Sequence, residues 1–170
     1  ISKTFNFKKK NFIKYIDSFK GLENRHEIFY KKKNYQFIND SKATSFASTK
    51  KALENYKNIY WILGGLPKER DNFNLSNVKK NIAKAYIIGK NVNFFKKQLK
   101  GQVNYLIFKD LKNALNQIFK DVKNNKFSFS VLLSPSSASY DQYKNFVERG
   151  KKFKRLVKYY AKKNFIRKYK

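Results

Sequence analysis

Phe37-Ile38-Asn39-Asp40-Ser41-Lys42-Ala43-Thr44 begins as a buried strand and ends as a polar loop that opens a helix. Tyr35, Phe37 and Ile38 suit a pleated, half-buried surface, where aromatic and β-branched side chains pack well across neighbouring strands. Asn39-Asp40-Ser41 break that pattern with short polar side chains that bond nearby backbone in turns and helix caps. A helix is expected to follow over 45–55. In an open α/β sheet such a junction lies at the carboxyl end of a strand, where ligands bind. Free N–H groups at the helix start favour an anion, and Lys42 adds a full positive charge. The plain alternative is an ordinary βα turn capped by Asp or Ser, since a position in a fold gives no function by itself.

Upstream, Glu27-Ile28-Phe29-Tyr30 and Tyr35-Gln36-Phe37-Ile38 flank Lys31-Lys32-Lys33-Asn34, two short runs whose polar break predicts a β-hairpin. Earlier still, Phe12, Ile13, Tyr15, Ile16 and Phe19 form a helical stripe that Gly21 ends. Downstream, Ile59-Tyr60-Trp61-Ile62-Leu63 is nearly all apolar, as a strand buried on both faces is. Gly64-Gly65-Leu66-Pro67-Lys68 closes it. The double glycine permits positive φ and close approach of backbone to a ligand. Combined with Lys68 and the loop from Asp40 to Thr44, it suggests two adjacent βα loops sharing one anion.

The pattern then alternates. Leu75 to Ala83 reads as helix, Tyr86-Ile87-Ile88 as strand, Val92 to Leu99 as helix and Tyr105 to Phe108 as strand. Leu111 to Val122 reads as helix, with Leu111, Leu115, Ile118 and Val122 on one face, and Phe127 to Leu133 as the last strand. Ser134-Pro135-Ser136-Ser137-Ala138-Ser139 makes a compact loop of donors and acceptors. It leads to a helix from about Tyr143 to Lys162 with Phe146, Phe153, Leu156, Val157 and Tyr160 inward, and then to a basic tail. Strands alternating with helices of about ten residues imply right-handed crossovers. The expected fold is α/β and Rossmann-like, a mostly parallel sheet with helices on both faces, opened by a β-hairpin.

Composition narrows the function. The chain has 170 residues, 41% hydrophobic and 18% aromatic, too apolar for disorder. No run of apolar residues is long enough for a transmembrane helix. Cysteine is absent, which excludes disulfides and thiolate metal sites and suits a reducing cytoplasm. Ile1-Ser2-Lys3-Thr4 has neither an initiator Met nor a signal core, and reads as a cut edge. His26 is the single histidine. With no second histidine or carboxylate cluster beside it in sequence, a solvated residue at a strand edge is expected rather than a metal ligand.

The net charge of +29 has two readings. One is nucleic-acid binding, which would gather cations on one face with exposed aromatics between them. The other is drift: Lys, Asn, Ile, Phe and Tyr are all abundant and all encoded by A/T-only codons. The lysines are spread along the whole length, which favours drift, and nucleic acid is not expected as a partner.

Four motifs occur in order: Gly21-Leu22-Glu23-Asn24-Arg25, Asn39 to Thr44, Trp61 to Lys68, and Leu132-Leu133-Ser134-Pro135-Ser136-Ser137-Ala138-Ser139-Tyr140-Asp141-Gln142-Tyr143-Lys144-Asn145-Phe146. Glu148-Arg149-Gly150 follows the last. Together they resemble the C-terminal domain of the Mur ligases, above all the branch that adds D-glutamate. The resemblance runs from about Gly21 to Val157. It implies that 21–170 is that C-terminal domain and that 1–20 is the last helix of a central ATPase domain otherwise missing. It also implies an ATP- and Mg2+-dependent, amide-forming reaction on UDP-MurNAc-L-alanine in cytoplasmic peptidoglycan synthesis.

The resemblance assigns residues as well. Lys42 matches the catalytic lysine facing the transferred phosphate, and Thr44 a position near the D-glutamate carboxylate. Lys68 and Ser139 match the residues that hold its carboxylates, and Phe146 an aromatic of the same pocket. Arg25 and Asp40 match the nucleotide side. Asn24 stands where the family mostly has His, Ser45 where it has Asn and Ser137 where it has Cys. The chain has no Gly-x-x-x-x-Gly-Lys-[Ser/Thr] phosphate loop, no Gly-x-Gly-x-x-Gly and no magnesium site in its sequence. The expectation is therefore weak D-glutamate binding, no cofactor held by the chain alone, and no ligation.

Overall fold

The computed structural model describes residue 13 and residues 21–165. The helix expected before Gly21 and the tail after 165 lie outside the described residues. Six strands and four α-helices follow in the order β1 (Glu27–Lys32), β2 (Tyr35–Asn39), α1 (Phe46–Asn55), β3 (Ile59–Leu63), β4 (Ile82–Ile88), α2 (Val92–Leu99), β5 (Tyr105–Phe108), α3 (Leu111–Asp121), β6 (Phe129–Leu133) and α4 (Phe146–Phe165).

The sheet order is β1-β2-β6-β3-β4-β5. β1 pairs antiparallel with β2 through a turn at Lys33-Asn34, two residues shorter than the polar break suggested. Every other pairing is parallel. The last strand in sequence thus sits at the centre, between β2 and β3, and all five of its residues are buried.

Successive side chains on a strand point to opposite faces, and two cores result. Phe37, Ile62, Tyr86 and Ile88 face α3 and α4, where Leu115, Ile118, Phe153 and Val157 are buried. Ile38, Trp61, Leu63 and Ile87 face α1 and α2, meeting Leu53, Phe73, Phe95 and Leu99. Each fully buried Leu, Ile or Phe contributes about 1.5–3 kcal/mol of transfer free energy.

Two element assignments differ from expectation. Residues 75–83 form a turn, a short 3₁₀ segment (Lys79–Asn81) and the start of β4 rather than a helix. Leu75 and Val78 are buried at helical spacing, but Asn81 is pinned: its amide donates to Leu53 O at 2.9 Å and accepts from Lys57 Nζ at 2.7 Å. These bonds fix the start of β4 and stop the coil. β6 begins at Phe129, and Phe127 lies outside it, exposed.

Candidate functional site

Four loops leave the carboxyl ends of β2, β6, β3 and β4 and lie side by side at one edge of the sheet. Asp40 N–H donates to Leu133 O at 2.8 Å, and Gly64 N–H to Pro135 O at 3.0 Å. Leu66 and Ala138 pair as an antiparallel bridge, N–H to O at 2.8 and 2.9 Å. The serine loop after β6 therefore stands between the loops of β2 and β3. The expectation that those two loops are adjacent is corrected by the strand order, which sets β6 and its loop between them.

A cation of the chain fills that space instead. Arg149, on the first turns of α4, is buried. Its guanidinium donates to Ser41 O at 2.9 Å, Ser137 O at 3.0 Å, Ser41 Oγ at 3.0 Å and, at 3.5 Å, Gly64 O. One side chain thus ties the ends of β2, β6 and β3 together. Burial lowers its pKa to about 10, with no carboxylate in contact among the described residues, so it is charged at neutral pH.

The glycine pair serves packing. Gly65 has φ +137°, and a Cβ there would collide with Ala138 O and the Ser137 hydroxyl. The close approach is to the neighbouring loop.

Lys42 follows this clamp directly. Its backbone N–H donates to Asn24 O at 3.0 Å, and its ammonium lies 4.0 Å from the centre of the Phe146 ring. That is a cation–π contact joining two of the residues singled out from sequence. On its other side Lys42 lines an open cleft of about 410 Å³ with Arg25, His26, Asp40, Ser48 and Lys51. The fold therefore brings Arg25, Asp40 and Lys42 together. Asp40 is itself buried: Ser134 Oγ donates to its Oδ2 at 2.7 Å and His26 N–H to its Oδ1 at 3.3 Å. Burial raises its pKa, and the hydroxyl, His26 and Arg25 only partly offset this.

Lys68 and Ser139 sit on the two strands of backbone joined by the Leu66–Ala138 bridge. Lys68 is exposed, and among the described residues neither it nor Lys42 has a carboxylate within ion-pair distance. Ser139 is buried, its carbonyl accepts from Gln142 and Tyr143 N–H, and its hydroxyl makes no hydrogen bond to another described residue. Thr44 is half-buried in the β2–α1 loop, outside the Lys42 cleft.

At the α1 N-terminus the first N–H group already has an acceptor within the chain. Ser45 is the N-cap residue but makes no capping hydrogen bond; the Asp71 carboxylate accepts from Phe46 N–H at 2.7 Å instead. Sequence reading missed Asp71, Arg149 and Thr49, whose hydroxyl accepts from Ser136 Oγ at 2.9 Å and so braces the serine loop. For Arg149 a signal existed: it falls on the apolar stripe of Phe146, Phe153, Val157 and Tyr160, where a charge needs a buried partner.

No protein-family model matches the chain. Over 141 residues it is 43% identical to the UDP-N-acetylmuramoylalanine–D-glutamate ligase of Wolbachia sp. subsp. Brugia malayi (strain TRS), covering 83% of this chain and 28% of that protein. The protein of the same name from Rickettsia felis is 36% identical over 159 residues, 93% of this chain and 35% of the relative. That of Nitrobacter hamburgensis is 40% identical over 144 residues, 84% of this chain and 31% of the relative. The chain spans about a third of the length of these curated relatives. A solved murein peptide ligase from Psychrobacter arcticus 273-4 superposes with a TM-score of 0.44 at 8% identity, over 84% of this chain and 31% of that one, too slight a likeness to bear on function.

Proposed function

We propose that the chain, a homologue of part of the D-glutamate ligases of the Mur ligase family, forms the D-glutamate-binding, ATP-closing portion of a cytoplasmic ligase that joins D-glutamate to UDP-MurNAc-L-alanine in peptidoglycan synthesis. In the complete reaction the alanine carboxylate attacks the γ-phosphate of ATP, giving an acyl phosphate and ADP. The amine of D-glutamate attacks the acyl carbon, and the tetrahedral intermediate expels phosphate to leave an amide. Lys42 carries the charge that meets the transferring phosphoryl group. Lys68 and Ser139 hold the two carboxylates of D-glutamate, Thr44 adds a hydroxyl donor, and the Phe146 ring lines the pocket and keeps the Lys42 ammonium in place. Arg25 and Asp40 serve the nucleotide across the Lys42 cleft.

The observation that carries this reading is the meeting of three strand-end loops under Arg149, bearing the Ser139 hydroxyl and two cations that have no carboxylate partner among the described residues. Among the described residues no group of three His, Cys, Asp or Glu side chains could hold a metal ion. In this proposal magnesium and the triphosphate cradle belong to the rest of the complete enzyme, and no ligation is expected of this chain alone.

The test is equilibrium titration with D-glutamate. Lys68→Ala and Ser139→Ala are each expected to weaken binding about tenfold, the worth of one charge-assisted hydrogen bond. Binding unchanged in both variants would overturn the assignment. D-glutamate-dependent ATP turnover by the purified chain would overturn its inactivity.

A further inference from the structure

The parallel strands β2, β6, β3, β4 and β5 all start at the end of the sheet opposite the candidate site. The loops there are loaded with exposed lysines. The β1–β2 turn region carries Lys31, Lys32 and Lys33, Lys57 precedes β3, and Lys123 and Lys126 precede β6. Lys79 and Lys80 lead into β4. Among the described residues two carboxylates stand at this end: Glu54, and Asp121, which is tied to Lys84 at 2.9 Å.

The opposite loops are balanced. There Lys42, Lys68, Arg70, Lys90, Lys109 and Lys144 are interspersed with Asp40, Glu69, Asp71, Asp110, Asp141 and Glu148. Compositional drift toward lysine would not by itself strip the carboxylates from one end alone. Helix dipoles favour cations in last helical turns, but Lys31, Lys32, Lys33, Lys57 and Lys126 are not in helices. Lysines stand at both ends, and the carboxylates that balance them are gathered at one, so the uncompensated positive charge is segregated in space.

Hydrogen bonds hold these loops together. Phe129 N–H donates to Asn34 O at 3.0 Å, Ser130 N–H to Asn58 O at 3.2 Å and Asn58 Nδ2 to Ser128 O at 2.9 Å. Between the hairpin turn and the end of α1 runs a cleft of about 300 Å³, lined by Lys31 to Lys33, Lys57, the amides of Asn34 and Asn55, and Tyr35 and Tyr56. Beside it Phe127 stands 78% exposed next to Lys126.

We propose that this end of the molecule binds single-stranded nucleic acid, with phosphates on Lys31, Lys32, Lys33 and Lys57 and a base stacked on Phe127. Cations following a groove, with aromatic faces beside them, are what a single strand requires. The amides in the cleft match base and sugar edges. A lipid surface would instead be met by several inserted apolar side chains, and among the described residues of these loops Phe127 is the one large exposed apolar side chain.

The test is fluorescence anisotropy of a labelled 12-nucleotide single strand with the full chain, over a series of salt concentrations. Binding is expected to fall roughly tenfold or more in Lys31→Glu/Lys32→Glu/Lys33→Glu, with the log–log salt slope reduced by about 2, at about 0.7 per lost phosphate contact. Phe127→Ala should bind roughly tenfold more weakly at unchanged slope. Lys90→Glu/Lys109→Glu/Lys144→Glu has the same net charge but is reversed at the other end, and should bind like the parent. Equal losses in the two triple variants would mean that net charge alone attracts the strand, and would overturn the proposal. So would an absence of binding at low salt, an unaffected Phe127→Ala variant, or binding of phosphatidylglycerol vesicles without binding of the oligonucleotide.

Discussion

Arg149 is buried among backbone carbonyls of three loops and meets no carboxylate among the described residues. Removing it leaves the Ser41 and Ser137 carbonyls unpaired in the interior, so Arg149→Ala should cost roughly 3–5 kcal/mol. The loss is read as a lower urea midpoint at unchanged slope; a change within error would show that the clamp is dispensable. The next residue is constrained for another reason. A Cβ on Gly150 would strike the Asn24 side chain and crowd the Asn39 amide, whose Nδ2 donates to Asn24 Oδ1 at 3.0 Å. Gly150→Ala should therefore destabilise by about 1–3 kcal/mol through overpacking, although alanine ordinarily favours a helix. Asn24, which stands where the family mostly has His, is thus a buried brace in this chain. At this scale the sequence singled out residues at the strand ends but not which of their neighbours serve packing. Lys42 and Phe146 were both named, yet their contact depends on α4 folding back over the β2 loop, which no local pattern records.

Elements with a strong period could be read directly. Val92–Leu99 and Tyr105–Phe108 match their expected bounds, because a helical stripe in the first and a continuous apolar run in the second were uninterrupted. The failure at 75–83 came where tertiary hydrogen bonds to Asn81 outweighed a locally helical spacing. The cap of α1 was hidden for a similar reason: its acceptor, Asp71, is 25 residues away from Phe46. Asp71→Ala should destabilise by about 1 kcal/mol, as loss of a cap does, measured by denaturant titration. β1 and α4 are joined by Glu27, which accepts from Lys154 Nζ at 2.7 Å and Asn39 Nδ2 at 2.9 Å. Burial alone would raise its pKa, but bonds from Lys154, the Asn24 N–H and Asn39 outweigh it and hold the carboxyl below its ordinary 4.5. A depressed carboxylate stabilises the fold above its unfolded pKa, and that contribution is lost as pH falls through the folded value. Thermal stability should drop below about pH 4.5, and Glu27→Gln should flatten that part of the profile. An identical acid profile in the variant would place the acid-sensitive group elsewhere.

Across the whole molecule, the sequence revealed the fold class because alternating strands and helices admit few arrangements, and because four motifs fell in family order. Strand order was beyond it. Only the parallel pairing of β6 with both β2 and β3 puts the serine loop in the middle of the site. Charge distribution was hidden likewise, since lysines far apart in sequence meet at one end of the sheet. A net charge of +29 strains the compact state by self-repulsion that salt screens. The melting temperature should therefore rise by a few degrees between low and physiological salt, and a fall would mean that ion pairs dominate instead.

The central claim is that the loops after β2, β3 and β6 form a stereospecific pocket for D-glutamate. The most direct measurement is a map of backbone amide shifts on titration with D-glutamate and, separately, with L-glutamate. The account predicts D-selective shifts confined to residues around Lys42, Lys68 and Ser139. Equal responses to both enantiomers, or shifts confined to the basic end of the sheet, would contradict it.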